Sequence, residues 1–167
     1  GQLTFNALPN FQNSNDVCLL ALDQISDPQN FGQIIRTSEC AGVDGIIFPK
    51  YNASSVSQTV LDVSQGAFVS IPLYEITNLS QELIKLKKDG FWVVGIENNI
   101  EAKAWHQINY NGKIVIVVGS ESKGIRKKIL GMCDFIATIE MQGKSNSLNV
   151  SAATSAVLFE RLRQMRK

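Results

Sequence analysis

The stretch Ile114-Val-Ile-Val-Val-Gly-Ser-Glu-Ser-Lys-Gly-Ile125 decides the fold class. Its first five residues are β-branched and apolar at every position, not at every second one. That is the pattern of a strand buried on both faces, as in a parallel sheet covered by helices. Glycine and serine then break the run, so strand Ile114–Gly119 passes into a loop. Val17–Leu22 (Val-Cys-Leu-Leu-Ala-Leu) has the same character, and shorter runs at Gly45–Phe48, Ser70–Tyr74, Phe91–Glu97 and Phe135–Ile139 read as further strands. Helical patterns lie between them, at Phe31–Ala41, Ser54–Ser64, Leu79–Lys88, Lys123–Met132 and Leu148–Met165. The alternation predicts an α/β domain, a mainly parallel sheet flanked by helices. At 167 residues the chain fits one domain, since a domain takes roughly 150. Residues 1–16, polar and rich in Asn, read as a linker or terminal edge, and 17–167 as the domain itself.

The first crossover carries its own punctuation. Asn30 is a good N-cap with Gln33 three residues on, and Gly42 suits the position just past the helix end. The last helix opens on small residues, Ser151, Ala152, Ala153, Ser155 and Ala156, which permit another backbone to approach closely.

Composition removes several classes of function. Hydrophobic residues at 44% against 19% charged exclude a disordered chain. Sixteen Lys and Arg against fifteen Asp and Glu leave a net charge of +1. A uniformly basic nucleic-acid coat protein is thereby excluded, a local basic patch not. The longest apolar run has six residues, too few to span a membrane, and no signal-peptide pattern opens the sequence. Three cysteines at irregular spacing and a single histidine argue against a zinc site and for a reducing, cytoplasmic setting.

Three segments concentrate polar groups: Asp27-Pro-Gln-Asn-Phe-Gly-Gln-Ile-Ile-Arg36, Gly119–Ile125 and Ile139–Ser151. All are strand-to-helix connections, and in an open parallel sheet such loops lie at the carboxyl edge, where ligands bind. The residues alone give a site with an arginine, a glutamate, amides, hydroxyls and no metal. Gly32 stands four residues before Arg36 on one helix face and leaves room above the guanidinium. Neither a P-loop nor a G-x-G-x-x-G fingerprint is present, which weakens the alternative of an ordinary dinucleotide enzyme. His106, in a polar stretch beside Trp105, reads as a surface residue. Taken singly, Asn30, Gly119, Gly124, Ser147 and Asn149 also read as caps and turn residues.

In order and spacing, Asn30-x-Gly32-x-x-x-Arg36, Gly119-x-Glu121-x-x-Gly124 and Ser147-Leu-Asn-Val-Ser151 resemble the three motifs of the SpoU (TrmH) branch of the SPOUT superfamily. The resemblance runs from about Val17 to Arg163 and is strongest to enzymes that methylate a guanosine of large-subunit ribosomal RNA. It implies an RNA ribose 2′-O-methyltransferase using S-adenosylmethionine, with a carboxyl-terminal trefoil knot and a homodimeric assembly. Many such enzymes carry a further amino-terminal RNA-binding domain that residues 1–16 do not contain, so the resemblance implies a minimal enzyme or the catalytic part alone.

By the same resemblance the catalytic set is Arg36, Asn30, Glu121, Ser147 and Asn149, with Glu121 a charge partner for Arg36. Gly119, Ile139, Leu148, Gly124 and Met141 would hold the cofactor. Arg36, Lys123, Arg126 and Lys127, with Lys128, would contact RNA, while Arg161, Arg163, Arg166 and Lys167 suit the last turn of a helix. Two departures stand out. Glu140 replaces the proline usual between Ile139 and Met141, and Ser122 replaces a glycine and would be strained there if the loop required φ > 0. The implied substrate is 23S ribosomal RNA before transfer RNA. The other reading is a catalytically silent RNA-binding factor, which would have no need to keep the polar set intact.

Overall fold

The computed structural model describes residues 5, 7–50, 57–98, 101–145 and 147–166. In chain order the strands are β1 (Val17–Asp23), β2 (Gly45–Pro49), β3 (Leu73–Ile76), β4 (Trp92–Ile96), β5 (Lys103–Ala104), β6 (Lys113–Gly119) and β7 (Phe135–Thr138). The helices are α1 (Pro28–Cys40), α2 (Gln58–Val63), α3 (Leu79–Lys88), α4 (Lys127–Leu130) and α5 (Val150–Met165). All seven strands join one sheet in the order β3-β2-β1-β6-β4-β7-β5, and every strand pair is parallel. Because every strand points the same way, the loops after β1, β4, β6 and β7 open on one edge.

The uniform apolar runs divide by parity between the two faces. Cys18, Leu20 and Leu22 of β1 and Ile114, Ile116 and Val118 of β6 join Phe31, Ile34 and Ile35 of α1, Val60 of α2 and Val157 and Leu158 of α5. Leu19 and Ala21 with Val115 and Val117 face the other way, onto Leu79, Leu83 and Leu86 of α3 and Ile129 of α4. β1 and β6 pair over all seven residues and form the centre. Ahead of β1, Phe11 stacks edge-on against Phe91 at 5.6 Å and its carbonyl accepts from Lys113 Nζ at 3.0 Å.

Several boundaries differ from the sequence expectation, each for a local reason. The N-cap of α1 is Asp27, not Asn30: its carboxylate accepts the Gln29 N–H at 2.9 Å and Pro28 takes the first helical position, where a missing N–H costs nothing. Gly42 does follow the helix end, at φ 74°. β3 starts at Leu73, because residues 67–69 form a 3-10 turn and Pro72 has no N–H for the ladder. Of the expected helix Ser54–Ser64, Gln58–Val63 is helical, and 51–56 lie outside the described residues. α4 begins four residues later than expected, since Ile125 and Arg126 give their N–H groups to carboxylates instead. The two-residue β5 has no counterpart among the expected strands. Arg161 is no end-of-helix surface charge but 4% exposed, on the inner face of α5; Lys167 lies outside the described residues.

Gly32 also has a role other than the one expected. The space over it is filled by α2: a Cβ there would lie 2.6 Å from Val63 Cβ and 2.9 Å from the Val60 carbonyl oxygen. Gly32 therefore sets the α1–α2 approach. Gly32→Ala should cost about 1–3 kcal/mol of stability through overpacking, read as a lower urea midpoint at unchanged m-value; an unchanged midpoint would show that α2 shifts freely.

Candidate active site

The loop after β6 is closed on itself. Gly124 N–H donates to the Ser120 carbonyl at 2.7 Å, and a Cβ on Gly119 would come within 2.3 Å of the Gly124 backbone. Glycine at 119 is thus a requirement of space, and at 124, with φ +66°, one of conformation. Ser122 does not have positive φ, so the strain expected there is absent.

Three carboxylates anchor this loop's exit and the start of α5. Asp23, fully buried at the end of β1, accepts from Arg126 N and Nε, both at 2.8 Å. Glu97, just past β4, accepts the Ile125 N–H at 2.9 Å. Glu121 accepts the Val150 N–H at 3.1 Å, in the first turn of α5. Each carboxylate satisfies a backbone donor that would otherwise be orphaned at a loop or helix start.

The third segment meets the first through side chains. Asn149 caps α5, its Oδ1 accepting the Ser151 N–H at 2.9 Å, and its Nδ2 donates to Asn30 Oδ1 at 3.1 Å. The Ser151 hydroxyl lies 2.8 Å from Gln33 Oε1. Asn30, Glu121 and Asn149 are therefore linked around the start of α5, although 119 residues separate Asn30 from Asn149.

Between the loops lies an open cleft. Gly119, Gly124, Ile139, Met141 and Leu148, the five residues expected around a cofactor, all line it, together with Glu121, Ser147 and Glu97. Apolar walls with a few polar groups suit a ligand of mixed character such as a nucleoside.

Arg36 lies elsewhere. It is exposed, without a hydrogen-bond or ion-pair partner among the described residues, in a shallow hollow shared with Gln33, Gln65, Ser151 and Ala152. The first turn of α5 divides the two depressions: Val150 and Ala153 face the cleft, Ser151 and Ala152 the arginine. The expected Glu121–Arg36 pair is not formed, because Glu121 turns to Val150. Lys123, Lys127 and Lys128 are exposed. His106 is exposed beside Trp105. Burial pushes the Cys18 thiol up to about 12, and burial with Asp134 nearby pushes Cys133 to about 11, so neither supplies a thiolate at neutral pH.

Residues 18–159 match the SpoU rRNA Methylase family. The chain belongs to that family. The 23S rRNA (guanosine-2′-O-)-methyltransferase RlmB of Pseudomonas aeruginosa is 44% identical over 146 residues, which are 87% of this chain and 58% of RlmB. The chain thus spans under two thirds of this relative. An AdoMet-bound rRNA methyltransferase from Sinorhizobium meliloti has a TM-score of 0.87 at 25% identity, over 98% of this chain and 62% of that one. The A. aeolicus TrmH/SpoU tRNA modifying enzyme has a TM-score of 0.81 at 28% identity, over 89% of this chain and 75% of that one. These SpoU-family likenesses agree with the parallel α/β sheet and with the family to which the three motifs point.

Arg126 differs from the lysines of the basic cluster in being tied to the buried Asp23. Arg126→Ala leaves Asp23 buried with only a backbone donor and should cost about 1–3 kcal/mol in urea unfolding. Lys127→Ala should leave stability within about 0.5 kcal/mol. Equal midpoints for the two variants would contradict a structural role for Arg126.

Proposed function

We propose that this chain transfers the methyl group of S-adenosylmethionine to a ribose 2′-OH in RNA, at a guanosine of 23S ribosomal RNA. The observation that carries this is the convergence of the five expected cofactor residues on one cleft beside the Asn30–Asn149 link, in a chain 44% identical to an enzyme named for that reaction. Cysteines without disulfide partners suit a cytoplasmic setting.

The cleft fits the cofactor by its chemistry. Ile139, Met141 and Leu148 offer apolar walls for an adenine, while the backbone at 119–121 offers polar groups to its edge and sugar. Bound there, S-adenosylmethionine supplies an electrophilic methyl on a positively charged sulfur. The protein's part is to hold the RNA hydroxyl in line and ease loss of its proton. Ser147, on the cleft wall, positions the ribose, and Asn149 holds the start of α5 against Asn30. Arg36 acts as a cation: from its hollow it holds an RNA phosphate and so fixes the nucleotide for attack, the proton of the hydroxyl passing to water or to that phosphate. A nucleotide lying across the first turn of α5 reaches both depressions. Lys123, Lys127 and Lys128 attract the RNA backbone.

The assembly we propose is a homodimer with α5 threaded as in the family's knot. Phe159 is 42% exposed on α5 and neighbours Leu162, with Arg163 and Arg166 beside them, a surface that a second copy would cover. Sedimentation at micromolar concentration should show a dimer and Phe159→Glu a monomer; a monomeric wild type would contradict this.

Arg36→Ala should lower single-turnover transfer of labelled methyl to ribosomal RNA by at least about a hundredfold, leaving the melting temperature and cofactor affinity unchanged. Arg36→Lys should not restore it, since lysine lacks the planar fork that spans two oxygens. Transfer near the wild-type rate by Arg36→Ala would sink this mechanism.

A further inference from the structure

Glu97 stands outside all three motifs, yet it lines the cleft. Its own N–H is tied to the Ala137 carbonyl of β7 at 3.0 Å, and its Oε2 accepts the Ile125 N–H at 2.9 Å. A Cβ on Gly124 would lie 2.8 Å from both carboxylate oxygens, so the carboxylate is packed against the loop that forms one wall. Strand and loop both fix where this charge sits.

The second acidic group of the cleft is Glu121, and no Lys, Arg or His is among the described lining residues. Lys123 and Lys144, nearby in sequence, are exposed and do not line it. The cleft therefore carries two carboxylates without a basic counterweight. Such a site is at odds with an anionic ligand and favours a cation.

Methyl transfer changes the ligand's charge. S-adenosylmethionine carries a sulfonium, an ammonium and a carboxylate, hence a net positive charge; S-adenosylhomocysteine, left after transfer, has lost the sulfonium charge and is neutral overall. Resting on the cofactor reading above, we infer that Glu97 makes the cleft discriminate between the two, holding the methyl donor more tightly than the demethylated product. Glu97 is then a specificity-determining residue, and loss of the charge in the reaction itself weakens the hold on the product.

Glu97→Gln tests the charge apart from the structure, because the amide oxygen still accepts the Ile125 N–H and the volume is kept. Calorimetric titration of both ligands into wild type should give about two- to fivefold tighter binding of S-adenosylmethionine, the upper range of a partly exposed charge pair. In Glu97→Gln that ratio should fall by at least half of its excess over one, Glu121 keeping the rest, at an unchanged melting temperature. If the variant is destabilised, wild type in rising salt serves instead, since screening should shrink the ratio. Wild type binding the product equally or more tightly would overturn the inference. So would a ratio that Glu97→Gln and salt leave intact, or an equal weakening of both ligands, which would make Glu97 a hook for a group they share. Wild type that binds neither would overturn the cofactor reading, and this inference with it.

Discussion

The Asp23 carboxylate, fully buried at the end of the central strand, takes two hydrogen bonds from Arg126. A carboxylate in such a place is tolerated only when paired and hydrogen-bonded, so β1 and the segment after the β6 loop are bound to each other. β6 lies beside β1 over its full length, and the loop that leaves it is thereby held over the carboxyl edge. Glu97 and Glu121 repeat the device at Ile125 and Val150. Loops that irregular backbone would leave loose are each secured by one acid accepting one N–H.

That edge is where parallel strands must deliver their loops. The chain runs from β1 outward to β2 and β3, then resumes on the far side at β4, and β6 later fills the place between β1 and β4. The glycine-bounded loop at 119–124 thus sits where the winding direction reverses. Asn30 and Asn149 close the ring from either end of the chain. The cleft and the Arg36 hollow lie on opposite sides of one helical turn.

Much of the fold was legible because parallel strands buried on both faces give uninterrupted apolar runs, as in Val17–Leu22 and Ile114–Val118. β5 gave no such signal at two residues. Lys123–Arg126 looked helical because helix propensity is local, whereas Asp23 and Glu97, 103 and 28 residues away from their partners, hold that segment out of the helix. The Asp27-Pro28 pair did carry the N-cap signal, and Asn30 was freed for its bond to Asn149. The motif residues around the cleft were legible through spacing and resemblance; Glu97 and Gln33 were not, since nothing in their neighbourhood announces a distant partner.

The central claim is that these three loops make an RNA ribose methyltransferase. Its most direct test is transfer of labelled methyl from S-adenosylmethionine to 23S ribosomal RNA by the purified protein, with the RNA digested to nucleosides and the labelled product identified. The account predicts label in 2′-O-methylguanosine alone. Label on a base, or none with RNA and cofactor in excess, would contradict it.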